Sequence, residues 1–348
     1  MVTVTSYGIA LACCIYCCIC WGSWANTQKL VAQKNWSTEL FYWDFVVGVF
    51  ITALIGALTL GCLGTGGHTF FDDLAGNCTE SGCFDWASAG NAMLGGIVWN
   101  FANIFLTLAI AVAGMSVGFP IGGGLGWLGG IVFAYLLVVL KGDVYAGNQT
   151  LLWTGVAIVI VAIILNGMAY GKLAGAEKKT PMKGILLAII SGIGLTFFYG
   201  LVLRSLSPEF VDGGSGTFAP QTGVFFFAVG VLLTTPIFNG IAMKHPVQGA
   251  PVTMKDYFSG SARTHLIGML GGLIWMSGMC VSFLGAGSGL VPGAVAYALS
   301  NAAPIVAMIW GFFIWKEFKN APKGTNALVA AMFILFVLGL VIITLSNN

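Results

Sequence analysis

Charged residues are scarce in this chain. Of its 348 residues only 14 are Lys or Arg and 12 are Asp or Glu, so 7% carry charge, against about 25% in an average soluble domain. That scarcity excludes an ordinary soluble enzyme, and a net charge of +2 without charged runs excludes a nucleic-acid surface. In place of charge, 58% of residues are hydrophobic, with 50 glycines, 25 phenylalanines and 11 tryptophans. Because membrane helices tolerate glycine and place tryptophan at the lipid boundary, the composition predicts a polytopic α-helical membrane protein.

The sequence also lacks motifs of common catalytic and nucleotide-binding sites. It contains no HExxH zinc signature and no GxxxxGKS or GxxxxGKT loop to cradle a nucleotide. The three histidines, His68, His245 and His265, all fall in predicted loops. We therefore expect no enzyme activity, no cofactor and no metal ion, and the absence of a nucleotide loop argues against ATP-driven pumping.

Ten uncharged apolar segments are long enough to cross a bilayer core, which takes about 17 to 25 residues each. A backbone in hydrocarbon must satisfy its own hydrogen bonds, so each segment is predicted to be a helix. The expected fold is all-α with ten transmembrane helices. Their predicted limits are 6–26, 41–63, 91–113, 116–140, 150–171, 183–206, 221–243, 265–285, 289–314 and 326–346.

Positive charge is concentrated on one side of the predicted membrane. The loops after predicted helices 1, 5, 7 and 9 hold 12 of the 14 Lys and Arg residues, and the other side keeps Lys141 and Arg204. The positive-inside rule makes the lysine-rich side cytoplasmic, in a plasma or inner membrane. Both termini and the long loop 64–88 are then external. The twelve residues are Lys29, Lys34, Lys172, Lys178, Lys179, Lys183, Lys244, Lys255, Arg263, Lys316, Lys319 and Lys323.

An internal repeat is visible at a constant offset of 176 residues. GIALA at Gly8–Ala12 matches GILLA at Gly184–Ala188, and LGGIVW at Leu94–Trp99 matches LGGLIW at Leu270–Trp275. Chance similarity between apolar segments is the alternative, but one offset serves several helices. We therefore divide the chain into two repeats, residues 1–176 and 177–348. Five helices per repeat is an odd number, so the second copy is inverted, an arrangement typical of alternating-access transporters.

Asp44, in the motif FYWDFVVG, is the acidic residue inside an apolar segment. An ionised carboxylate in hydrocarbon costs at least about 2.5 to 3.5 kcal/mol, so its presence needs a reason. One interpretation is a carboxylate in a wet cavity that takes and releases a proton and so couples transport to a gradient. The alternative is an interfacial carboxylate paired with Lys34.

Predicted helix 3 carries a polar stripe formed by Asn100, Asn103 and Thr107, with Trp99 beside it. This spacing places the amides on one helical face. Amides both donate and accept, which suits the hydroxyl or ureido groups of an uncharged solute, and tryptophan offers a flat face for stacking. The alternative is hydrogen bonding between helices. The repeat equivalent of Trp99 is Trp275, which we predict to line the same site.

The end of predicted helix 1 and helix 9 supply further candidates for substrate binding. Trp24 and Asn26 lie in the polar and aromatic stretch WGSWANTQ, and Asn301 lies in helix 9. An aromatic belt at the membrane interface is the other interpretation of the tryptophan.

The glycine pattern and the two loop cysteines suggest structural roles rather than roles in substrate binding. Gly122, Gly126 and Gly130 form a doubled small-xxx-small pattern that favours close helix packing, either within the chain or in a homodimer, so monomer and dimer both stay open. Cys78 and Cys83, in the external loop, would form a disulfide if the compartment is oxidising.

Several motifs resemble those of known transporters. GMSVGFPI at Gly114–Ile121 resembles a stretch of bacterial glucose/ribose-type sugar uptake proteins. GSW at Gly22–Trp24, followed by YWDF at Tyr42–Phe45, is similar to plant ureide permeases. Both groups belong to the drug/metabolite transporter superfamily, built from two five-helix halves. The resemblance implies proton-coupled uptake of a sugar, ureide or nucleobase, with Asp44 as the acidic position and Trp24 in the helix 1 motif. This chain lacks the long central hydrophilic loop of the plant permeases.

The resulting hypothesis is a secondary active transporter that imports a small uncharged polar metabolite together with a proton across the lipid bilayer. An exporter of the same fold is one alternative, although helix 1 lacks the glutamate of small multidrug exporters. A membrane sensor or assembly protein without transport activity is the other.

Overall fold

The computed structural model describes residues 1–64, 66–140, 147–176, 181–211, 214–286, 288, 290, 299–300 and 302–346. The regular structure of this part is helical, as the sequence predicts. Nine helical stretches in it are long and apolar enough to cross a membrane. Many large apolar side chains on these helices are exposed, including Ile164, Ile193 and Ile237 at 55–60%. Such surfaces suit contact with lipid.

In the first half of the chain, the first and fourth spans each consist of consecutive helical segments. Two helices meet at Trp24, whose backbone dihedral angles are helical, so the first span runs from Tyr7 to Ala32. A π-helical turn at Phe119–Gly123, which contains Pro120, interrupts the fourth span, as proline commonly does. The helices are α1 (Tyr7–Ser23), α2 (Ala25–Ala32), α3 (Thr38–Leu58), α4 (Phe70–Ala75), α5 (Trp86–Ala113), α6 (Met115–Gly118), α7 (Gly124–Leu140) and α8 (Gln149–Ala176).

The second half differs from prediction at helix 9. The segment 289–314 was expected to be one helix, but the described part holds a short helical stretch at Ala303–Ile314 that ends in a π-helical turn. Pro304 occupies the first turn of this stretch, where its missing N–H costs nothing. The helices are α9 (Pro181–Leu203), α10 (Pro220–Lys244), α11 (Met254–Phe258), α12 (Ala262–Ala286), α13 (Ala303–Ile309) and α14 (Thr325–Leu345).

The chain forms two compact units, each drawn from both halves of the sequence. The first unit comprises Met1–Ile104 and Phe198–Ser300, and the second comprises Phe105–Phe197 and Asn301–Asn348. The first contains α1 to α4, most of α5, and α10 to α12.

Four glycines permit close helix packing in the first unit, and they form two matching pairs. A Cβ at Gly48 would overlap the carbonyl of Met269, and one at Gly230 would overlap the carbonyl of Met93. Gly272 and Gly96 face the carbonyls of Phe45 and Phe227 in the same way. Helix α5 thus contacts α10 as α12 contacts α3. Each residue of α5 in these contacts corresponds to the residue of α12 that lies 176 positions later in the sequence. Each residue of α3 corresponds to the residue of α10 that lies 182 positions later.

In the second unit, a carboxylate caps the start of the broken fourth span. The chain turns at Gly114, where φ is +89°. Glu317 then accepts hydrogen bonds from the backbone N–H groups of Met115 and Ser116, at 2.9 and 2.8 Å. These N–H groups have no partner within the helix, so the carboxylate satisfies them and interacts favourably with the helix dipole.

The glycine pattern of the fourth span packs within the chain. A Cβ at Gly122 would meet the carbonyl of Ala188 at 3.2 Å, and one at Gly126 would meet Leu195 at 2.6 Å, both on α9. Gly192 of α9 approaches the same two glycines in return. Gly122 and Gly126 therefore pack against a helix of the same chain, which is the first of the two interpretations of this pattern.

The sequence also left open a disulfide between Cys78 and Cys83. Both are free thiols in the structure, as are the other seven cysteines.

Candidate functional site

Asp44 lies at the centre of a buried polar cluster in the first unit. Helix α3 begins after Ser37, whose hydroxyl accepts from the N–H of Leu40, and Asp44 follows in the second turn. The Asp44 side chain is 0% exposed. Its Oδ1 atom accepts a hydrogen bond from the Tyr257 hydroxyl at 2.7 Å and lies 2.7 Å from Nδ1 of His265. In the described structure the hydrogen-bond partners of Asp44 are thus Tyr257 and His265, whereas the alternative interpretation named Lys34.

The structure also corrects the position of His265. It does not lie in a loop but in the first turn of α12, so its ring is held over α3. The neighbouring Tyr257 belongs to α11, a short helix outside the spans whose first turn is capped by Thr253 and Asp256. Burial, followed by the Asp44 carboxylate, raises the pKa of the Tyr257 hydroxyl, so it donates to that carboxylate and stays protonated.

The second oxygen of Asp44 makes no well-formed hydrogen bond. Its Oδ2 atom is buried, and no described residue satisfies hydrogen-bond geometry with it. The indole N–H of Trp36 is likewise buried without a well-formed bond, but it lies close enough to interact with the Asp44 carboxylate, and its ring packs edge-on against His265 at 5.2 Å. Because Gly268 has no side chain, the carboxylate fits against α12: a Cβ there would lie 2.9 Å from Oδ2. The His265 side chain is 18% exposed, so it links the buried acid to the surface of the protein.

Three predicted tryptophans meet in an aromatic cluster of the same unit. The rings of Trp99 and Trp275 are 4.1 Å apart, and Trp99 stacks on Phe45 at 6.3 Å. Trp24 packs against the other side of Phe45 at 4.8 Å. Phe227 stacks on Trp275 at 6.0 Å, so the pair Phe227 and Trp275 mirrors the pair Phe45 and Trp99.

The predicted amides of α5 lie beside these rings and are engaged in helix contacts. The Asn100 amide donates to Thr234 Oγ1 at 2.9 Å, Thr235 Oγ1 at 3.1 Å and the Val231 carbonyl at 3.1 Å. Its oxygen accepts from the Tyr42 hydroxyl at 2.8 Å. Asn100 thus connects α3, α5 and α10. Asn103 makes a longer bond, 3.4 Å from its amide nitrogen to Tyr42.

Two other candidates do not join this cluster in the described structure. The Asn26 amide donates to the carbonyl of Ser23, three residues earlier, where the two helices of the first span meet. Asn301 lies outside the described residues.

Sequence reasoning missed His265, Tyr257 and Trp36, the three residues around the acid. A second buried acid, Glu39, also escaped it, because α3 begins earlier than predicted. The one usable signal was that His265 sits at the predicted start of helix 8, where it could belong to the span. Nothing local to Tyr257 or Trp36 pointed to Asp44.

Spanning helices that enclose a buried acid, amides and stacked aromatic rings define a polytopic membrane transporter rather than an enzyme. Comparison with known proteins gives the family. The ureide permease family model matches residues 169–346, half of the chain. The chain belongs to the ureide permease family.

Individual relatives cover the chain more fully. Ureide permease 1 of Arabidopsis thaliana is 24% identical over 406 aligned residues, which cover 100% of this chain and 99% of that protein. Ureide permease 2 of the same plant is 22% identical with the same coverage. A putative ribose uptake protein of Latilactobacillus sakei is 25% identical over 71% of this chain and 76% of its own length. The predicted resemblance to ureide permeases and sugar uptake proteins is therefore confirmed, and the chain is an integral membrane transporter.

Proposed function

We propose that this protein imports a small uncharged polar metabolite together with a proton, with Asp44 as the proton site. The observation that carries the proposal is the environment of the Asp44 carboxyl: it is fully buried, held by Tyr257 and His265 at 2.7 Å, and has one oxygen without a well-formed hydrogen bond. A buried acid in a membrane helix is costly and marks proton or ion pathways in transporters. His265 is partly exposed and lies 2.7 Å from the Asp44 carboxylate, so it provides the route of the proton to the surface.

Ureides come first among the substrates, ahead of sugars and nucleobases. The relatives that match the whole chain are named ureide permeases, and one that matches 71% of it is named a putative ribose uptake protein. A ureide is flat and carries both N–H donors and carbonyl acceptors. The faces of Trp99 and Trp275 suit stacking on such a group, and Asn103 can pair with its edge. The two indoles contact each other in this structure and would have to separate to admit a substrate.

The edge of the proposed substrate site is formed by the four remaining candidates, Trp24, Asn26, Asn100 and Asn301. Trp24 reaches the cluster through Phe45. Asn26 lies two residues beyond it in the first span, where its bond to Ser23 would have to open before it could contact a substrate. Asn100 is expected to position the wall rather than touch the solute, because its donors and acceptor already bond to helices.

The proposed architecture is ten helices in two inverted repeats, residues 1–176 and 177–348. Two observations support it. The glycine contacts of α5 with α10 repeat those of α12 with α3. In addition, GMSVGFPI at Gly114–Ile121 matches ALSNAAPI at Ala298–Ile305, with serine, proline and isoleucine in common. Inverted repeats are typical of transporters that expose one site alternately to the two sides of the membrane. We retain the external position of both termini and the plasma or inner membrane from the distribution of lysines.

Uptake into liposomes tests the proposal. The purified protein is reconstituted with an imposed pH gradient and offered radiolabelled allantoin, uracil, xanthine, glucose, ribose and rhamnose. We expect allantoin to accumulate only when the external side is acidic. Substrate that equilibrates without accumulating would contradict proton coupling, and accumulation driven in the opposite direction would favour the exporter. No movement of any solute by folded protein would favour a role without transport.

A further inference from the structure

Three potential metal ligands meet in the loop between α3 and α5, away from the transport site. The ligand atoms of His68, Asp73 and Cys78 all lie within 4.8 Å of one another. Asp73 is held in place by α4, whose first turn is closed by a capping box between Thr69 and Asp72. The Cys78 side chain is partly buried, whereas Cys83 in the same loop is exposed.

The geometry of His68 and Asp73 differs from that of an ordinary ion pair. Nε2 of His68 and Oδ1 of Asp73 are 3.0 Å apart. Neither atom satisfies hydrogen-bond geometry with any described residue, although both are buried and the Asp73 side chain is 0% exposed. The lone pair of a neutral imidazole nitrogen points along the same direction as its N–H would. The lone pair or N–H of His68 Nε2 therefore does not point at Asp73 Oδ1. The two atoms lie side by side, as adjacent ligands of one metal ion do.

We propose that His68, Asp73 and Cys78 form a Zn²⁺ site with an open fourth position. The mixed nitrogen, oxygen and sulfur donors are those that zinc accepts, at about 2.0 to 2.3 Å each. Tetrahedral bonds of this length place neighbouring ligand atoms about 3.2 to 3.6 Å apart, within the observed limit of 4.8 Å. A site of this kind departs from the sequence-based expectation of no metal ion.

The surroundings favour a divalent cation. Asp73 buries a negative charge, and Asp72 and Glu209 add negative charge close enough to act on His68. A buried carboxylate oxygen without a partner is costly, and a cation removes that cost. The other oxygen of Asp73 accepts from the N–H of Ala219, directly before α10, at 2.9 Å. The ion would therefore brace this loop against the start of α10.

Cobalt spectroscopy and zinc binding test the site on the full-length protein in detergent. After treatment with a chelator, the wild type should bind about one Zn²⁺ per chain. Co²⁺ in its place should give the sulfur-to-metal charge-transfer band of a thiolate ligand. C78S should lose that band and weaken Zn²⁺ binding by about 100-fold or more, beyond the range of changes to outer-shell groups. H68A should weaken binding to a similar extent.

C83S is the matched control, because it removes the exposed cysteine of the same loop. It should retain both the charge-transfer band and the affinity for Zn²⁺. The wild-type spectrum tests the site even if a variant fails to fold. A Co²⁺ complex without thiolate absorption, equal loss in C83S, or a disulfide between Cys78 and Cys83 in the mass spectrum of the unreduced protein would each overturn the proposal.

Discussion

Two polar clusters lie within the apolar helices of the first unit, and they use their hydrogen bonds differently. Asn100 places its donors and acceptor on α3 and α10, both membrane-spanning helices. Asp44 leaves one buried oxygen without a well-formed hydrogen bond, and one of its two partners, Tyr257, belongs to a short helix outside the spans. A saturated amide between spans fixes their positions. An acid whose hydrogen bonds are incomplete can change its protonation and its contacts.

The comparison teaches that burial of a polar group is not by itself evidence of function in a membrane protein. Asp44 and Asn100 are both 0% exposed, and the sequence singled out both. What separates them is the completeness of their hydrogen bonds and the position of their partners, inside or outside the spans. The following predictions test that distinction, starting with the largest expected effect.

D44N should abolish accumulation of substrate. Asparagine is nearly isosteric with aspartate but cannot take and release a proton, so a pH gradient can no longer drive uptake. In liposomes with a gradient of one pH unit, worth about 1.4 kcal/mol, the ratio of internal to external substrate should fall to about 1. Exchange of labelled for unlabelled substrate should be partly retained.

E39Q provides the control for D44N. Glu39 is also buried in the first turn of α3, but no bond to His265 or Tyr257 involves it. E39Q should keep gradient-driven uptake. If D44N accumulates substrate as well as E39Q does, Asp44 is not the coupling site.

N100L should lower stability more than any other single change in the amide cluster. Leucine removes the bonds to Thr234, Thr235 and Val231, and the Tyr42 hydroxyl exchanges its 2.8 Å acceptor for the backbone carbonyl of residue 100, which lies 3.3 Å away. Leaving such groups buried without partners costs about 1 to 3 kcal/mol in total, which thermal unfolding of the detergent-solubilised protein measures as a lower melting temperature. N239L is the control, since Asn239 donates one bond, to the carbonyl of Glu39 at 2.8 Å. A melting temperature that falls no further than in N239L would contradict the structural role of Asn100.

The sequence predicted the spans well where apolar runs are uninterrupted. Helices α5, α10, α12 and α14 lie within five residues of their predicted limits. The first span was predicted to stop at residue 26 but continues to Ala32. Its polar residues looked like a loop, yet Asn26 bonds within the helix and Gln28 is buried. Polar side chains that find local or buried partners do not end a helix, and composition cannot reveal those partners.

The candidate site was predictable only in part, because its members are distant in sequence. The unusual cost of an acid in hydrocarbon pointed to Asp44 itself. Its partners Tyr257 and His265 are 213 and 221 residues away. Which of many polar residues reaches Asp44 depends on how α12 packs on α3, and that packing rests on Gly48 and Gly272 in backbone contact. No pattern within a single segment encodes such a pairing.

N103L should weaken substrate binding without preventing insertion. The long bond from Asn103 to Tyr42 contributes little to helix packing, so its amide is the better candidate for a bond to substrate. Loss of one hydrogen bond to an uncharged group costs about 0.5 to 1.5 kcal/mol, which corresponds to a Kd two- to tenfold higher. Equilibrium binding of labelled allantoin to the purified protein measures it. An unchanged Kd together with a lower melting temperature would place Asn103 with Asn100 as a packing residue.

D85N should have the smallest effect and sharpens the comparison with a third polar group. Asp85 is an acid, like Asp44, but it is saturated with donors, like Asn100. Its oxygens accept from Ser88, Ala87 and Thr217 at 2.6 to 3.0 Å, at the start of α5. Asparagine caps helices about as well as aspartate but lacks its charge, so we expect unchanged transport and a loss of about 0.3 to 1 kcal/mol of stability, the contribution of a carboxylate at a helix N-terminus.

The pH dependence of stability distinguishes Asp85 as a structural acid. Burial alone would raise the pKa of Asp85, but hydrogen bonds from Ser88, Thr217 and Ala87 lower it by more, so it lies below its ordinary value. A lowered carboxyl pKa stabilises the fold above the unfolded value of about 3.9, and that contribution is lost as pH falls through the folded value. The melting temperatures of wild type and D85N should therefore differ at neutral pH and converge below pH about 4. A difference that persists at low pH would mean that the amide disturbs packing, and that the charge of Asp85 is not what stabilises the start of α5.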